Sequence, residues 1–392
     1  MSRVSALDAP SGVPMMLGRA RSGSCGQSSG VYSSSKWATD DRECVLARGR
    51  PDKSLARFER VALVLSGGGA LGAYQAGAYS ALEKCGVRPN WIAATAIGAV
   101  NAAIIAGNLP HERVIRLRQF WRELSRCTAT RRPGAPARWA KSALANFLSG
   151  GPRAAPMQAR SDEPVVSAGQ LRALIAETVD FERINSGTIR VVLGALNLTT
   201  GAETFFDNDR HVLTPDHVMA GTPLPGLPPI AIDAQLFGGS AIAVSALEDA
   251  RPADTLCFAI DGYDPVPGTH GGISRTAREI AAMSRTHDLR RRMALLGERV
   301  PPTQRSDVDI RRCLSEASNA TMTILHLVHE VSAAEFAVKM ADFSAAAVTR
   351  RWRAGESDIG TSLAHPRWLA PPPRISGIVV HEVRGGLAAP PR

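Results

Sequence analysis

The chain has 392 residues, 44% hydrophobic and 21% charged, with a formal net charge of +10. That balance fits one large globular domain with extensions, or two domains, and excludes a disordered or collagen-like protein. Six scattered cysteines (Cys25, Cys44, Cys85, Cys127, Cys257, Cys313) form no C-x-x-C pair, so neither a zinc site nor a disulfide framework is expected, and a reducing, cytoplasmic setting fits.

Residues 1–57 are rich in Ser, Gly and Arg, lack apolar periodicity and lack the basic-then-apolar layout of a signal peptide. They read as a disordered tail. Order is expected to begin at "RVALVLSGGG", where Val61 to Leu65 form an unbroken apolar run ending in glycines. Such a run suits a strand buried on both faces. "LGAYQAGAYSALEKCG" follows as a helix with Gly86 at its C-terminal stop. "WIAAT" predicts a second strand and "AIGAVNAAIIAGN" a second helix. Repeated βα units imply a parallel sheet with helices on both faces.

"HERVIRLRQFWRELSR" is amphipathic, with Val114, Leu117, Phe120, Trp121 and Leu124 on one side. "IRVVLGALNLTTGAETFF" predicts two strands around a turn. "PLPGLPPIAIDAQLFGGS" predicts a Pro/Gly-rich loop leading into a short hairpin, and "DTLCFAIDG" another core strand. From about Ile273 the pattern turns mostly helical. The predicted organisation is therefore a 1–57 tail, a 58–272 α/β domain and a 273–392 helical extension with a Pro-rich end. No run reaches the roughly 18–20 apolar residues that span a bilayer.

Residues 111–160 hold eleven Lys/Arg against Glu112 and Glu123. This excess suits a solvated face, or an anionic membrane surface reached peripherally. No aromatic interleaving or nucleic-acid motif accompanies it, so no nucleic-acid partner is expected.

Two glycine-rich turns carry the chemistry. Gly67-Gly68-Gly69-Ala70-Leu71-Gly72 satisfies G-x-G-x-x-G between a strand and a helix. A dinucleotide site would also need an acidic residue near Asn90–Thr95, at the end of the next strand, and none stands there. The other reading is an oxyanion hole, with glycine amides and a helix N-terminus converging on one point. A nucleophile should then sit on a neighbouring strand-turn-helix. The frame Ala94-Thr95-Ala96-Ile97-Gly98 has the spacing of a G-x-S-x-G elbow, with Ala96 where the serine belongs.

"LVLSGGGALGAYQAGAYSALE" and "IAATAIGAVNAAIIAGN" closely resemble patatin-like lipid acyl hydrolases. The resemblance continues through "LNLTTGAETFFDN" and "LPGLPPIAID" to "MADFSAAAVTRRWRAG", which is similar to the C-terminal extension of a bacterial subgroup. It implies a mainly parallel α/β fold, hydrolysis of lipid esters by a Ser–Asp dyad without histidine, no cofactor and no metal. It places Gly67, Gly68, Gly69 and Gly72 at the oxyanion hole. It puts the nucleophile position on Ala96 within the elbow frame Ala94 and Gly98, and the acid position on Gly239, or on Gly238 with a shorter hairpin.

A methyl group cannot attack a carbonyl, and glycine carries no carboxylate. The expectation is a catalytically inactive member that still binds an acyl chain or lipid. Two alternatives stand beside it: an active hydrolase with an unorthodox nucleophile (Ser66, Thr95 or Ser240, with Asp261 as a substitute acid), or a scaffold protein with a collapsed pocket. His211, His217 and His270 fall in expected loops and suggest no triad. Ala94 is expected to crowd the elbow, where the family has glycine.

Overall fold

The computed structural model describes residues 32–34, 55–129, 166–222, 224, 227–239, 241, 243–248, 251–262, 274–329, 340–364 and 366–384. Strands and helices follow in chain order: β1 Tyr32–Ser34, β2 Arg60–Gly67, α1 Gly72–Lys84, β3 Trp91–Thr95, α2 Ile97–Ala106 and α3 Pro110–Ala129. Next come α4 Ala168–Thr178, α5 Phe181–Asn185, β4 Arg190–Asn197, β5 Glu203–Asp207, α6 Pro215–Ala220, β6 Ile230–Ile232, β7 Gln235–Gly239 and β8 Thr255–Gly262. The C-terminal region adds α7 Arg275–Gly297, α8 Val308–Glu316, β9 Met322–His329, α9 Ala345–Ala364 and β10 Ile378–Arg384.

One sheet runs in the order β1-β10-β9-β8-β2-β3-β4-β7-β6, with β5 also paired to β4. The strands from β1 to β4 in that order are all parallel, and β5, β6 and β7 form the antiparallel edge. Every residue of β3 and β8 is buried, which explains their mostly apolar sequences: a parallel strand covered by helices on both faces has no solvent-facing side. One face packs under α1, α2 and α3. The other packs under α7 and a 3-10 turn at Ala243–Leu247.

The chain travels β2, β3, β4 in one direction across the sheet, then β8, β9, β10 in the other. The reversal falls between β2 and β8, so their carboxyl ends flank the crevice where open α/β sheets bind ligands.

The C-terminal region is helical, as its sequence implies, and it also supplies two strands that periodicity does not reveal. β9 ("MTILHLVH") is a short apolar run, which pattern alone cannot tell from a buried helical turn. Tyr32–Ser34, within the stretch read as a disordered tail, pairs in parallel with β10. Backbone pairing of three residues needs no hydrophobic pattern. Leu55–Arg57 forms a 3-10 turn, and the remainder of 1–54 lies outside the described residues. Cys85 is disulfide-bonded, which the scattered spacing of the cysteines does not suggest.

His287 on α7 gives the packing a pH dependence. Burial first, and Arg290 second, push its pKa down to about 4 from the ordinary 6.5. The unfolded chain therefore takes up a proton between these values and the folded chain does not. Stability is expected to be full above about pH 6.5 and to fall as the pH drops towards 4. Thermal melts across that window should show the loss, and His287→Gln should flatten it.

Candidate functional site

Ala96 is the hinge between β3 and α2. Its backbone is at φ 53° and ψ −140°, and its methyl is 6% exposed. A non-glycine residue held there carries strain on the order of 1–3 kcal/mol, which surrounding structure must impose. Gly98 shows what imposes it: a Cβ there would run into the Leu65 backbone carbonyl, so α2 lies directly against β2. The Thr222 hydroxyl donates to the Ala96 carbonyl at 3.0 Å and fixes the turn from the other side. The geometry is a strained strand-to-helix turn with a methyl at its apex. Ala94 does not crowd it. Ala94 lies within β3, in register with Leu65 and Leu193, and its methyl packs in the core.

The glycine turn lies beside the elbow. Gly67 and Gly69 take φ of 104° and 59°, values that L side chains rarely adopt. The amides of Gly68 and Gly69 find no acceptor among the described residues. A Cβ at Gly72 would strike Ile97 and lie 2.9 Å from Trp121, so the turn presses on the start of α2.

A buried polar network clamps the two turns together. The Gln75 amide donates to the Ser66 carbonyl at 2.8 Å. The Asn101 amide, from α2, donates to the Gly72 carbonyl at 2.9 Å and to Gln75 Oε1 at 3.1 Å. Trp121 Nε1 donates to Asn101 Oδ1 at 3.0 Å. Sequence pattern marks Asn101 only as a polar interruption of an apolar helix. In the fold it joins the turn to the elbow helix, with its hydrogen bonds satisfied in the core.

The turn is covered by the chain's own C-terminal region. A Cβ at Gly68 would meet the Met340 thioether methyl, and one at Gly69 the Met340 carbonyl. Arg351 Nη1 donates to the Asp342 carbonyl at 2.6 Å and to the Ala70 carbonyl at 3.3 Å, tying the covering segment to the turn. Burial pushes the Arg351 pKa down to about 10. Phe343 stacks near Trp121, with ring centroids 6.4 Å apart. Nothing in the local sequence links Met340 or Arg351 to a turn some 270 residues earlier.

Gly239 ends β7 opposite Leu196 of β4. Along β7, "QLFGG", no residue carries a carboxylate. Asp233 and Ala234 form the hairpin turn with φ of 47° and 60°, as a two-residue turn of this hand requires. Among the other weighed residues, Thr95 is buried on β3, and His211 and His217 serve the loop around β5 and α6. Ser240 and His270 lie outside the described residues.

Ser66 and Asp261, weighed separately in the sequence, are register partners at the carboxyl ends of β2 and β8. His326 of β9 joins them, with its Nε2 3.5 Å from Asp261 Oδ2 and both side chains 1% exposed. Among the described residues neither that carboxylate oxygen, nor either imidazole nitrogen, nor the Ser66 hydroxyl has a hydrogen-bond partner. His326 escapes sequence reasoning because the strand that carries it does.

Of the basic stretch at 111–160, residues 130–160 lie outside the described residues. In α3, Arg113 is buried and donates to the Asn108 carbonyl, Arg118 pairs with Glu356 and Arg126 pairs with Glu123. Much of the described part is thus committed to internal contacts. Among the described residues no group of three His, Cys, Asp or Glu side chains could hold a metal ion, and no helix is long and apolar enough to cross a membrane.

Two family models match the chain. One, described as patatin-like phospholipase, covers residues 63–256, and a second, described as patatin phospholipase, covers 273–374. The chain belongs to the patatin-like phospholipase family. No curated protein matches it. Among solved structures, VipD from Legionella pneumophila is similar at 14% identity over 76% of this chain and 67% of VipD, with a TM-score of 0.31. The patatin-like region thus contains both glycine-rich turns, and the C-terminal patatin region contains β9, α9 and the cover at Met340.

Proposed function

We propose that this patatin-like phospholipase is a pseudoenzyme that binds lipid acyl groups without cleaving them. The observation that carries the reading is the Ala96 methyl held at the apex of a strained elbow. A family member needs a nucleophile there and a carboxylate beside it, and this chain offers Ala96 and Gly239. Loss of the serine from such a unit costs about a million-fold in kcat. Loss of the acid then adds little, because the two act as one unit.

Lipid binding is supported by the unspent amides of Gly68 and Gly69 and by what covers them. Met340 is a flexible, polarizable side chain that an acyl chain can displace. The test pairs turnover of p-nitrophenyl esters and phospholipid vesicles with displacement of a fluorescent fatty acid. Turnover is expected to match a heat-denatured control, while the fatty acid binds, and binds more tightly in Met340→Ala. Turnover clearly above the control would sink the pseudoenzyme reading. Absence of fatty-acid binding in both proteins would instead favour a scaffold with a closed pocket.

The buried trio at the β2/β8 crevice supports a second reading, an active lipid acyl hydrolase with Ser66 as nucleophile and Asp261 as base. A fluorophosphonate probe that labels the wild-type chain at Ser66, and fails to label Asp261→Asn, would favour it.

A further inference from the structure

The outward face of α7 combines charge and apolar surface in one line. Arg278, Arg285, Leu289, Arg292 and Leu296, spaced by seven, four, three and four residues, fall on one side of the helix and are all exposed. They lie opposite the helix's buried face, formed by Thr276, Ile280 and Met283. Leu289 and Leu296 are 59% and 62% exposed, among the barest large apolar side chains described. Among the described residues the Arg278, Arg285 and Arg292 side chains make no ion pair or hydrogen bond. Cations and anions off this line are used internally instead. Arg291 donates to the Asn319 and Arg374 carbonyls, and Asp288 accepts from the Gly377 amide. No acidic residue falls within the line.

We propose that this face of α7 is a docking surface for an anionic lipid bilayer. Arginine forks match lipid phosphates bidentately, and leucines between them enter the headgroup boundary. The line runs along the helix for about 27 Å, a shape for a plane rather than a pocket. Two bare leucines among the arginines favour lipid over nucleic acid, whose phosphates offer leucine nothing. The surface is distinct from the elbow. α7 covers the sheet face opposite α1 and α2, and it runs back from the strands' carboxyl ends towards their amino ends. Docking here holds the protein by its flank.

Flotation of the full chain with vesicles tests this. Wild type is expected to float with an equimolar phosphatidylcholine and phosphatidylglycerol mixture at low salt, and to stay behind with phosphatidylcholine alone. Arg285→Glu with Arg292→Glu is expected to reduce partitioning at least tenfold. Leu289→Ser with Leu296→Ser is expected to leave low-salt binding but make it fall more steeply with added salt. All four sites are exposed, and circular dichroism verifies that the variants fold. Equal flotation of the charge-reversed variant would overturn the proposal. So would indifference of wild type to phosphatidylglycerol, or retention on DNA without flotation. Acyl binding is read separately, by displacement of the fluorescent fatty acid, which the α7 variants should leave unchanged, so failure of acyl binding and failure of docking are separable.

Discussion

Gly355→Ala in α9 is expected to lower the unfolding free energy by about 2–3 kcal/mol, whereas Gly360→Ala further along the same helix is expected to raise it by about 1 kcal/mol. The difference is tertiary. A Cβ at Gly355 would run into the Tyr74 carbonyl and lie 2.7 Å from the Ala78 amide, both in α1. A Cβ at Gly77 of α1 would in turn strike the Trp352 carbonyl of α9. Each helix therefore has a glycine where the other's backbone passes. A Cβ at Gly360 would meet nothing within 4 Å, so there alanine brings only its better helix propensity.

Polar contacts set the register of the same interface. The Tyr74 hydroxyl donates to Asp358 at 2.7 Å and the Ser80 hydroxyl to Glu356 at 2.8 Å. Burial alone would raise the Glu356 carboxyl, but hydrogen bonds from Lys84 and Ser80 outweigh it and hold its pKa below the ordinary value. Urea titrations would check the prediction: the midpoint should fall for Gly355→Ala and for Gly77→Ala and rise for Gly360→Ala, with slopes unchanged. A Gly355→Ala protein as stable as wild type would mean that the two helices sit further apart than described. Because α1 begins at the glycine turn, this interface also sets how firmly the C-terminal region holds the site.

Ala96→Ser with Gly239→Asp and Leu196→Ala is expected to raise ester turnover by about 10²–10³-fold over the wild-type baseline, a fraction of the roughly million-fold that an intact dyad supplies. The elbow favours the serine, since Ala96 already holds the required backbone and Gly98 already allows the close approach to Leu65. The acid position is less ready. A Cβ on Gly239 would stand 2.9 Å from Leu196 Cβ and 3.1 Å from its Cδ2; alanine at 196 removes the second contact and leaves room for β7 to shift away from the first. The double variant that keeps Leu196 is expected to be less active and less stable than the triple. Ala94→Gly is not required, because the Ala94 methyl fits its strand. If the folded triple variant stays at baseline, β7 does not carry the place of the acid.

The central strands were legible because burial on both faces writes itself as unbroken apolar sequence. "RVALVLSG" and "DTLCFAIDG" become neighbouring strands, and Gly86, with φ 73°, ends α1 as its position implies. The two turns were legible because their spacing follows from local backbone demands at Gly67, Gly69 and Gly98. β9 and β1 were not, because the apolar run of β9 reads equally as a buried helical turn and the three residues of β1 are too few for a period to show.

The sequence by itself determined the parallel α/β framework, the glycine turn, the elbow frame and the absence of a nucleophile at Ala96, since each depends on residue type at fixed local spacing. Tertiary structure alone decided that Met340 covers the turn, that Asn101 and Gln75 lock the glycine turn to α2, that Ser66 and Asp261 are register partners and that His326 lies against Asp261. It also decided which arginines are free, sparing those of α7's outer face while Arg113 and Arg118 of α3 are engaged. The reason is common to all of these. They are contacts between segments far apart in the chain, and local periodicity records which face of an element is buried but not what lies against it.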